Sequence, residues 1–358
     1  MKILITGVGG PTPRSFAQAL IKYSRYAHYE LVATDCDPYA IGLYMPSLFN
    51  QSYVIPKATD PDYWSVIEEI IANEQIEYAA VMPELEVLEW AKRSIDNRLP
   101  CKVILPDYNL ATHLVDKALL TGILEPHGLA PASFVITREE VNEKEAFKLP
   151  YPFWIRSATG SSGRGALKIN SLSELRNWME ISSSVKKFLA SEYLPGRNLS
   201  CQMLYHHGSL IRSAVAERIK YIMSKTAPSG ISGNTSYGRL INDSDVFHVA
   251  EKAMEIMMEK RNSRKHGFFT VDLKEDKDGH PKVTEVNIRH VAYTQCYAAG
   301  GANFPEDMMR LLHNDPTFDR AFKLYEFEPD MIFLRDVDEQ PIIMKESQLL
   351  KTYHPRHK

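Results

Sequence analysis

Cysteine is scarce and scattered: Cys36, Cys101, Cys201 and Cys296 are the only four in 358 residues. None sits in a Cys-x-x-Cys or Cys/His ligand spacing, which argues against a zinc knuckle or a disulfide framework and reads as reduced thiols. An excess of one charge is lacking as well. With 42 Lys+Arg against 45 Asp+Glu, the formal net charge is −3, so no electrostatic footprint for nucleic acid is expected. No run of about 18 apolar residues occurs, and the opening strand-like segment, residues 2–6, is too short for a signal-peptide apolar region. The expectation is a cytoplasmic protein away from membranes. What is present, 44% hydrophobic and 24% charged residues, fits an ordinary globular chain of two or three domains with an ample core.

Up to about residue 110, short aliphatic runs (KILIT, ELVAT, YAAVMP, KVILP) alternate with helix-period segments. Phe16, Ala19, Leu20 and Tyr23 mark one such segment, and Trp64, Ile67, Ile70 and Ile71 another. That alternation predicts a parallel α/β sheet. Residues 111–130 read as one helix ending at His127-Gly128, followed by the strand SFVIT. From Pro150 the pattern changes to strands and hairpins (PFWIRS, ALKIN, KKFLASEYL, LSCQMLYHHGSLIRSAVAERI). One helix interrupts them, with Val246, Val249, Ala250, Ala253 and Met254 on its apolar face. Beyond about 315 there is a short FKLYEF strand candidate and a terminus, HPRHK, that reads as a solvated end.

The stretch FFTVDLKEDKDGHPKVTEVNIRH is the most informative. Asp278-Gly279 is the dipeptide favoured in a two-residue type I′ turn. Centred there, an antiparallel hairpin places Val271 opposite Val286, Phe269 opposite Ile288 and Asp272 opposite Glu285. One face is then apolar. The other carries Asp272 and Glu285 with Cβ atoms roughly 4.5 to 5.5 Å apart, followed by Asn287 and Arg289. Two anions so placed repel unless a cation or a shared proton sits between them, or the face is simply solvated. Oxygen-only ligands without His or Cys suit a hard ion such as Mg²⁺ that binds substrate phosphates. Arg289 is placed to clamp those phosphates.

Gly160, Ser161, Ser162, Gly163, Arg164 and Gly165 lie between two strand candidates, with Arg156 on the strand leading in. The Gly-Lys-Ser/Thr ending of a Walker loop is missing. A small-residue loop of this kind either donates backbone N–H groups to phosphates or is an exposed hairpin loop. At the N-terminus, Gly7-Val8-Gly9-Gly10-Pro11-Thr12-Pro13 with Asp35 partly matches a dinucleotide fingerprint. The third glycine is replaced by Thr12, which favours a tight βα turn shaping a substrate cleft.

In order, these pieces resemble the ATP-grasp superfamily, most closely its carbamoyl-phosphate-synthetase-like branch, from Met1 to about Leu312. The resemblance implies an N-terminal Rossmann-like parallel α/β domain (1–112) followed by a two-subdomain ATP-grasp fold. Its small α+β subdomain (113–190) carries the glycine-rich lid, its large α+β subdomain (191–315) the Mg/ATP site, and 316–358 form an extension. Lys117 at the Asp116-Lys117 helix start and Arg156 would be phosphate-binding cations, although Ser157 replaces the usual proline. Gly160, Ser162, Gly163 and Gly165 would close over the phosphates, and backbone groups of Glu192 and Leu194 in SEYLPG would read the adenine edge. Asn198 stands where a ribose-binding Glu is common, with Glu217 as its substitute. Asp272, Glu285 and Asn287 would hold the metal and Arg289 would act on the transferring phosphoryl group. AAGGANFPEDMMRLL is similar to a segment that packs a helix behind the metal strand.

The activity so implied is an ATP- and Mg²⁺-dependent (or Mn²⁺-dependent) ligation of a small-molecule carboxylate to an amine through an acyl phosphate, releasing ADP and phosphate. A kinase that stops at phosphoryl transfer and a nucleotide-binding protein without turnover are the alternatives. A homodimer is compatible with either. One module only is present, too short for a complete carbamoyl-phosphate synthetase. Candidate substrate loops are residues 9–14, 83–86 and 225–238. Glu84 and Glu86 are read either as amine-holding carboxylates or as compensation of a helix dipole, and His290 either as a site residue or as a packed one.

Overall fold

The structure, a computed structural model, describes residues 1–142, 149–159, 163, 165–336, 348 and 350–354. The N-terminal sheet is parallel and built from β1 (Lys2–Thr6), β2 (Glu30–Asp35), β3 (Gln51–Val54), β4 (Tyr78–Ala80) and β5 (Lys102–Val103). Helices α1 (Pro11–Tyr23), α2 (Tyr63–Glu74) and α3 (Glu84–Ser94) connect them. The strand order is β3-β2-β1-β4-β5. Chain direction across the sheet therefore reverses between β1 and β4, and the crevice beyond those strand ends is where an open α/β sheet receives ligands. Continuous aliphatic runs form these strands because both faces are covered: Ile3, Leu4 and Ile5 are fully buried.

The predicted helix over 111–130 is two helices. α4 (Tyr108–Leu114) stops at Val115, and α5 (Lys117–Leu124) starts anew because the Asp116 side chain accepts from the N–H groups of Ala118 and Leu119. An Asp that caps one helix cannot sit comfortably inside another. Gly128, at φ +70, closes the following turn.

A four-stranded antiparallel sheet follows, ordered β6-β9-β7-β8, from β6 (Ser133–Ile136), β7 (Phe153–Ser157), β8 (Leu167–Ile169) and β9 (Phe188–Glu192). It packs its own apolar cluster on α6 (Leu172–Ile181), with Phe153, Ile155, Leu175 and Phe188 fully buried. The large sheet is ordered β14-β13-β10-β11-β12-β16. Its strands are β10 (Asn198–His206), β11 (Ser209–Tyr221), β12 (Thr235–Ile241), β13 (Gly267–Glu275), β14 (Pro281–Asn287) and, from the tail, β16 (Ile332–Leu334). The short β15 (Lys323–Leu324), all that FKLYEF contributes, pairs with β11. Helix α7 (Ser244–Lys260) covers one face of this sheet, while α8 (Thr294–Ala299) and α9 (Phe304–Leu312) lie towards α1. Asn303 caps α9, and Phe304 meets Phe268 of β13 edge-on at 5.5 Å. Of the terminal HPRHK only His354 lies within the described residues, and it is exposed; just before it, the Tyr353 N–H donates to the Val54 carbonyl and its hydroxyl to Glu69.

The carboxylate hairpin has the predicted register for a different reason. Its turn is a five-residue loop, 276–280, in which Asp276 accepts from the N–H groups of Asp278 and His280. Such a loop pairs Glu275 with Pro281 and Leu273 with Val283, one step off the two-residue turn. A bulge between Asp272 and Leu273 absorbs that step, so that Asp272 faces Glu285 and Val271 faces Val286 after all.

Candidate active site

A cavity of about 510 Å³ opens where the three sheets meet. Its N-terminal wall is the reversal crevice, formed by Gly7, residues 10–13 after β1 and residues 82–84 after β4. Gly7 has φ +70, and a Cβ there would stand 2.2 Å from the Pro83 ring, so only glycine lets these two loops close on each other. Asp35 accepts from the N–H groups of Gly9 and Asp37 at 2.7 and 2.9 Å, so it organises the turn.

On the opposite wall, Asp272, Glu285, Asn287 and Arg289 all face the cavity, as period-two alternation requires. Each carboxylate already has cations. Glu285 lies 3.5 Å from Lys117 Nζ and 3.7 Å from an Arg156 guanidinium nitrogen. Asp272 lies 3.2 Å from Arg218, and the Asn287 amide donates to Asp272 at 3.2 Å. The repulsion that pointed to a metal is therefore answered by the chain's own side chains. What still fits a hard cation is the donor set, all oxygen; Asp272 Oδ1 is the atom that Arg218 approaches, so it is ion-paired and not an orphan.

Burial pushes the Asp272 carboxyl up and Glu285 adds to the rise, while Arg218 pulls it down. Arg156, half-buried, donates to the Thr284 carbonyl at 2.5 Å, and desolvation lowers its pKa against the pull of Glu285 and Asp272. Arg289 reaches across to Thr12 Oγ1 at 3.3 Å, tying the hairpin to the N-terminal crevice. Arg218 went unread in the sequence. Its signal was register: on β11 it pairs with Asn198, and Ser200 two residues on pairs with Asp272.

The same alternation corrects Glu217. Its neighbour Arg218 lines the cavity, so Glu217 points to the other side of the sheet, where it pairs with Arg239 at 3.3 Å. Glu192, Leu194 and Asn198 do line the cavity. The Glu192 N–H is taken by the Ala132 carbonyl at 2.9 Å, and Asn198 accepts from Lys274 at 3.2 Å. Gly163 and Gly165 have φ +68 and +65, and a Cβ on Gly163 would stand 2.9 Å from the Ile231 carbonyl. Gly160 and Ser162 lie outside the described residues. Residues 231–234 of the polar 225–238 stretch line the cavity, whereas 235–238 belong to β12.

Glu84 and Glu86 part company. Glu84 faces the cavity; burial raises its pKa while Lys117 and Arg289 pull it back. Glu86 is core: it accepts from Tyr63 at 2.7 Å, and the Tyr63 hydroxyl in turn accepts from Trp90 at 2.8 Å. Its burial pushes it up to about 7. His290 borders the cavity but is packed and almost fully buried. It stacks on Phe268 at 3.6 Å, and desolvation lowers its pKa to about 3.

No family model and no curated protein matches the chain by sequence. Solved structures do match it in three dimensions. Phosphoribosylamine–glycine ligase from Thermotoga maritima superposes with a TM-score of 0.64 at 18% identity, covering 93% of this chain and 78% of that one. The L-amino acid ligase of Bacillus licheniformis gives 0.61 at 15%, covering 87% and 74%. The biotin carboxylase domain of Hydrogenobacter thermophilus 2-oxoglutarate carboxylase, solved with MgADP and bicarbonate, gives 0.63 at 13%, covering 93% and 72%. The chain has the ATP-grasp fold. Among the described residues no helix is long and apolar enough to cross a membrane.

Proposed function

We propose that this protein is an ATP-dependent carboxylate–amine ligase that works through an acyl phosphate and releases ADP and phosphate. The observation that carries the reading is the convergence, in one cleft, of an oxygen-only donor set (Asp272, Glu285, Asn287) with Lys117, Arg156 and Arg289. Those donors fit Mg²⁺, with Mn²⁺ as a substitute of similar preference, and a bound ion would neutralise phosphate oxygens.

The cations do the chain's own share. A carboxylate is already ionised at neutral pH and needs no general base; it needs its repulsion from the ATP phosphates reduced. Lys117 and Arg156 do this from the nucleotide side. Arg289, held towards Thr12, does it where the phosphoryl group is transferred. The Glu192 carbonyl and the Leu194 N–H read the adenine edge, and Asn198 takes the ribose. The carboxylate and amine enter from the N-terminal crevice, where Glu84 receives the amine. A cytoplasmic setting and a homodimer belong to the same reading.

The likeness of fold to an L-amino acid ligase and a glycine ligase supports small carboxylate and amine substrates. The test incubates the protein with ATP, Mg²⁺ and paired amino acids while ADP release is followed. Hydroxylamine in place of the amine should trap the acyl phosphate as a hydroxamate. A stable phosphorylated product without hydroxamate, and ADP release indifferent to the amine, would reassign the protein as a kinase.

A further inference from the structure

We propose that His206, His207 and His266 form a binding site for one divalent transition metal ion of the zinc class, at the end of the large sheet remote from the ATP-site carboxylates. His206 is the last residue of β10, His207 and Gly208 make the turn into β11, and His266 immediately precedes β13. Tyr205 of β10 pairs with Gly267 of β13, so the sheet register itself brings the first two histidines beside the third. Asp272 pairs with Ser200, six residues back along β10 from His206. At ~3.3 Å per residue that is roughly 20 Å away, too far for the two sites to share a ligand.

The geometry suits coordination. Each histidine offers one ring nitrogen, and all three lie within 4.8 Å of one another. The ring centroids are 4.1, 5.0 and 5.3 Å apart. Tetrahedral ligation at ~2.0–2.1 Å sets ligand nitrogens roughly 3.4 Å apart, a closure open to the exposed side chain of His207. His266 presents a lone pair to the turn already: its Nδ1 accepts from the His207 backbone N–H at 3.2 Å. That hydrogen bond is long, and an ion taking the lone pair replaces it with a stronger partner. The turn is specialised, with His207 at φ +45 and Gly208 at +99.

The chemistry of the group selects the ion. Burial and mutual repulsion lower His206 to about 4 and His266 to about 3, so at neutral pH both are uncharged lone-pair donors. Among the described residues no carboxylate or thiol joins the three; Arg320 and Arg264 add positive potential at His206 and His266, which opposes any cation, so only strong bonding to imidazole outweighs it. Hard ions that depend on anionic oxygen are rejected there. An ion that bonds imidazole strongly, Zn²⁺ foremost, with Co²⁺, Ni²⁺ and Cu²⁺ behind the same ligands, is accepted, with a fourth position left for water. Bound, it ties the β10–β11 turn to the start of the strand that carries Asp272.

The full-length protein, stripped with EDTA and returned to saturating Mg²⁺ so that the carboxylate site is occupied, is titrated with Zn²⁺ by calorimetry and with Co²⁺ by visible absorption. One ion per chain should bind, with a d–d band characteristic of nitrogen ligands. His206→Ala and His266→Gln should each weaken binding by more than the roughly 10–100-fold that follows loss of a ligand's hydrogen-bonding neighbour. His207→Asn, which keeps a residue tolerant of the left-handed turn, should weaken it too, and His248→Ala, on the exposed face of α7, should leave it unchanged. Zn²⁺ should raise the melting temperature of the wild type and not of the three variants, each compared with its own EDTA-treated form. Absence of binding, several equivalent weak sites, or wild-type affinity in the His206 and His266 variants would overturn the proposal.

Discussion

The two walls of the cavity are built on opposite principles. The hairpin wall is a sheet face, where Asp272, Glu285 and Asn287 stand at alternate positions of neighbouring strands and Arg218 sits one strand beyond β10. The crevice wall is made of loop ends, Gly7 to Pro13 and Pro83 to Glu84, held by a glycine that admits a proline ring and by one long arginine contact. A sheet face repeats every two residues, so its chemistry is encoded locally. Loop ends meet only because β1 and β4 are neighbours in the strand order.

If that contrast is real, breaking the sheet wall should cost both stability and turnover, and breaking the crevice should cost substrate affinity alone. The largest expected effect is Arg218→Met. It strips Asp272, a half-buried carboxylate, of its cation; the roughly 3–5 kcal/mol lost on breaking a fully buried pair is the upper bound on the loss of stability. Urea unfolding checks the size. The double variant Arg218→Met with Asp272→Asn should recover most of the loss, and strictly additive losses would mean the two groups are not coupled.

Next comes Glu285→Ala, expected to remove about 3 kcal/mol of transition-state stabilisation, or about 100-fold in kcat. Because the variant leaves Lys117 and Arg156 without their shared carboxylate, some loss of thermal stability should accompany it. Full turnover at saturating ATP and Mg²⁺ would sink the assignment.

Glu86, behind the crevice, tests the boundary by pH. Its folded pKa of about 7 exceeds the ordinary 4.5. Between those values the folded state holds a proton that the unfolded state has lost, so stability falls as pH rises through the window, by up to about 3 kcal/mol. Chemical denaturation at pH 5 and pH 8 should show that fall in the wild type and a smaller one in Glu86→Gln, whose amide carbonyl still accepts from Tyr63. An equal fall in both would place the titration elsewhere.

The smallest effect belongs to Glu84→Gln. If Glu84 receives the amine, KM for the amine should rise about tenfold, the equivalent of ~1.4 kcal/mol, with KM for ATP unmoved. A rise in both constants would group Glu84 functionally with the sheet wall.

Much of the sheet wall is legible in the sequence. Alternation in FFTVDLKEDKDGHPKVTEVNIRH marks the face that carries Asp272, Glu285, Asn287 and Arg289, and it survives a turn of different length because the bulge beside Asp272 restores the register. Where the reading failed, a neighbour was missing from it. Glu217 stands out as a ribose contact and Arg218 does not stand out at all in the sequence, because only pairing with β10 and β12 fixes which side each faces. Periodicity joins 111–130 into one helix, whereas the Asp116 cap divides it at the helix start that the resemblance implies.

Sequence alone determined the succession of a parallel α/β unit and antiparallel α+β units, along with the residue types facing the cleft, because hydrophobic period and turn chemistry act over a few residues. Only the tertiary structure decided which cation meets which carboxylate. It alone separated Glu84 from Glu86, and it brought His266 beside His206 and His207. Those outcomes depend on strand order and register between segments tens to hundreds of residues apart, and no local pattern carries that information.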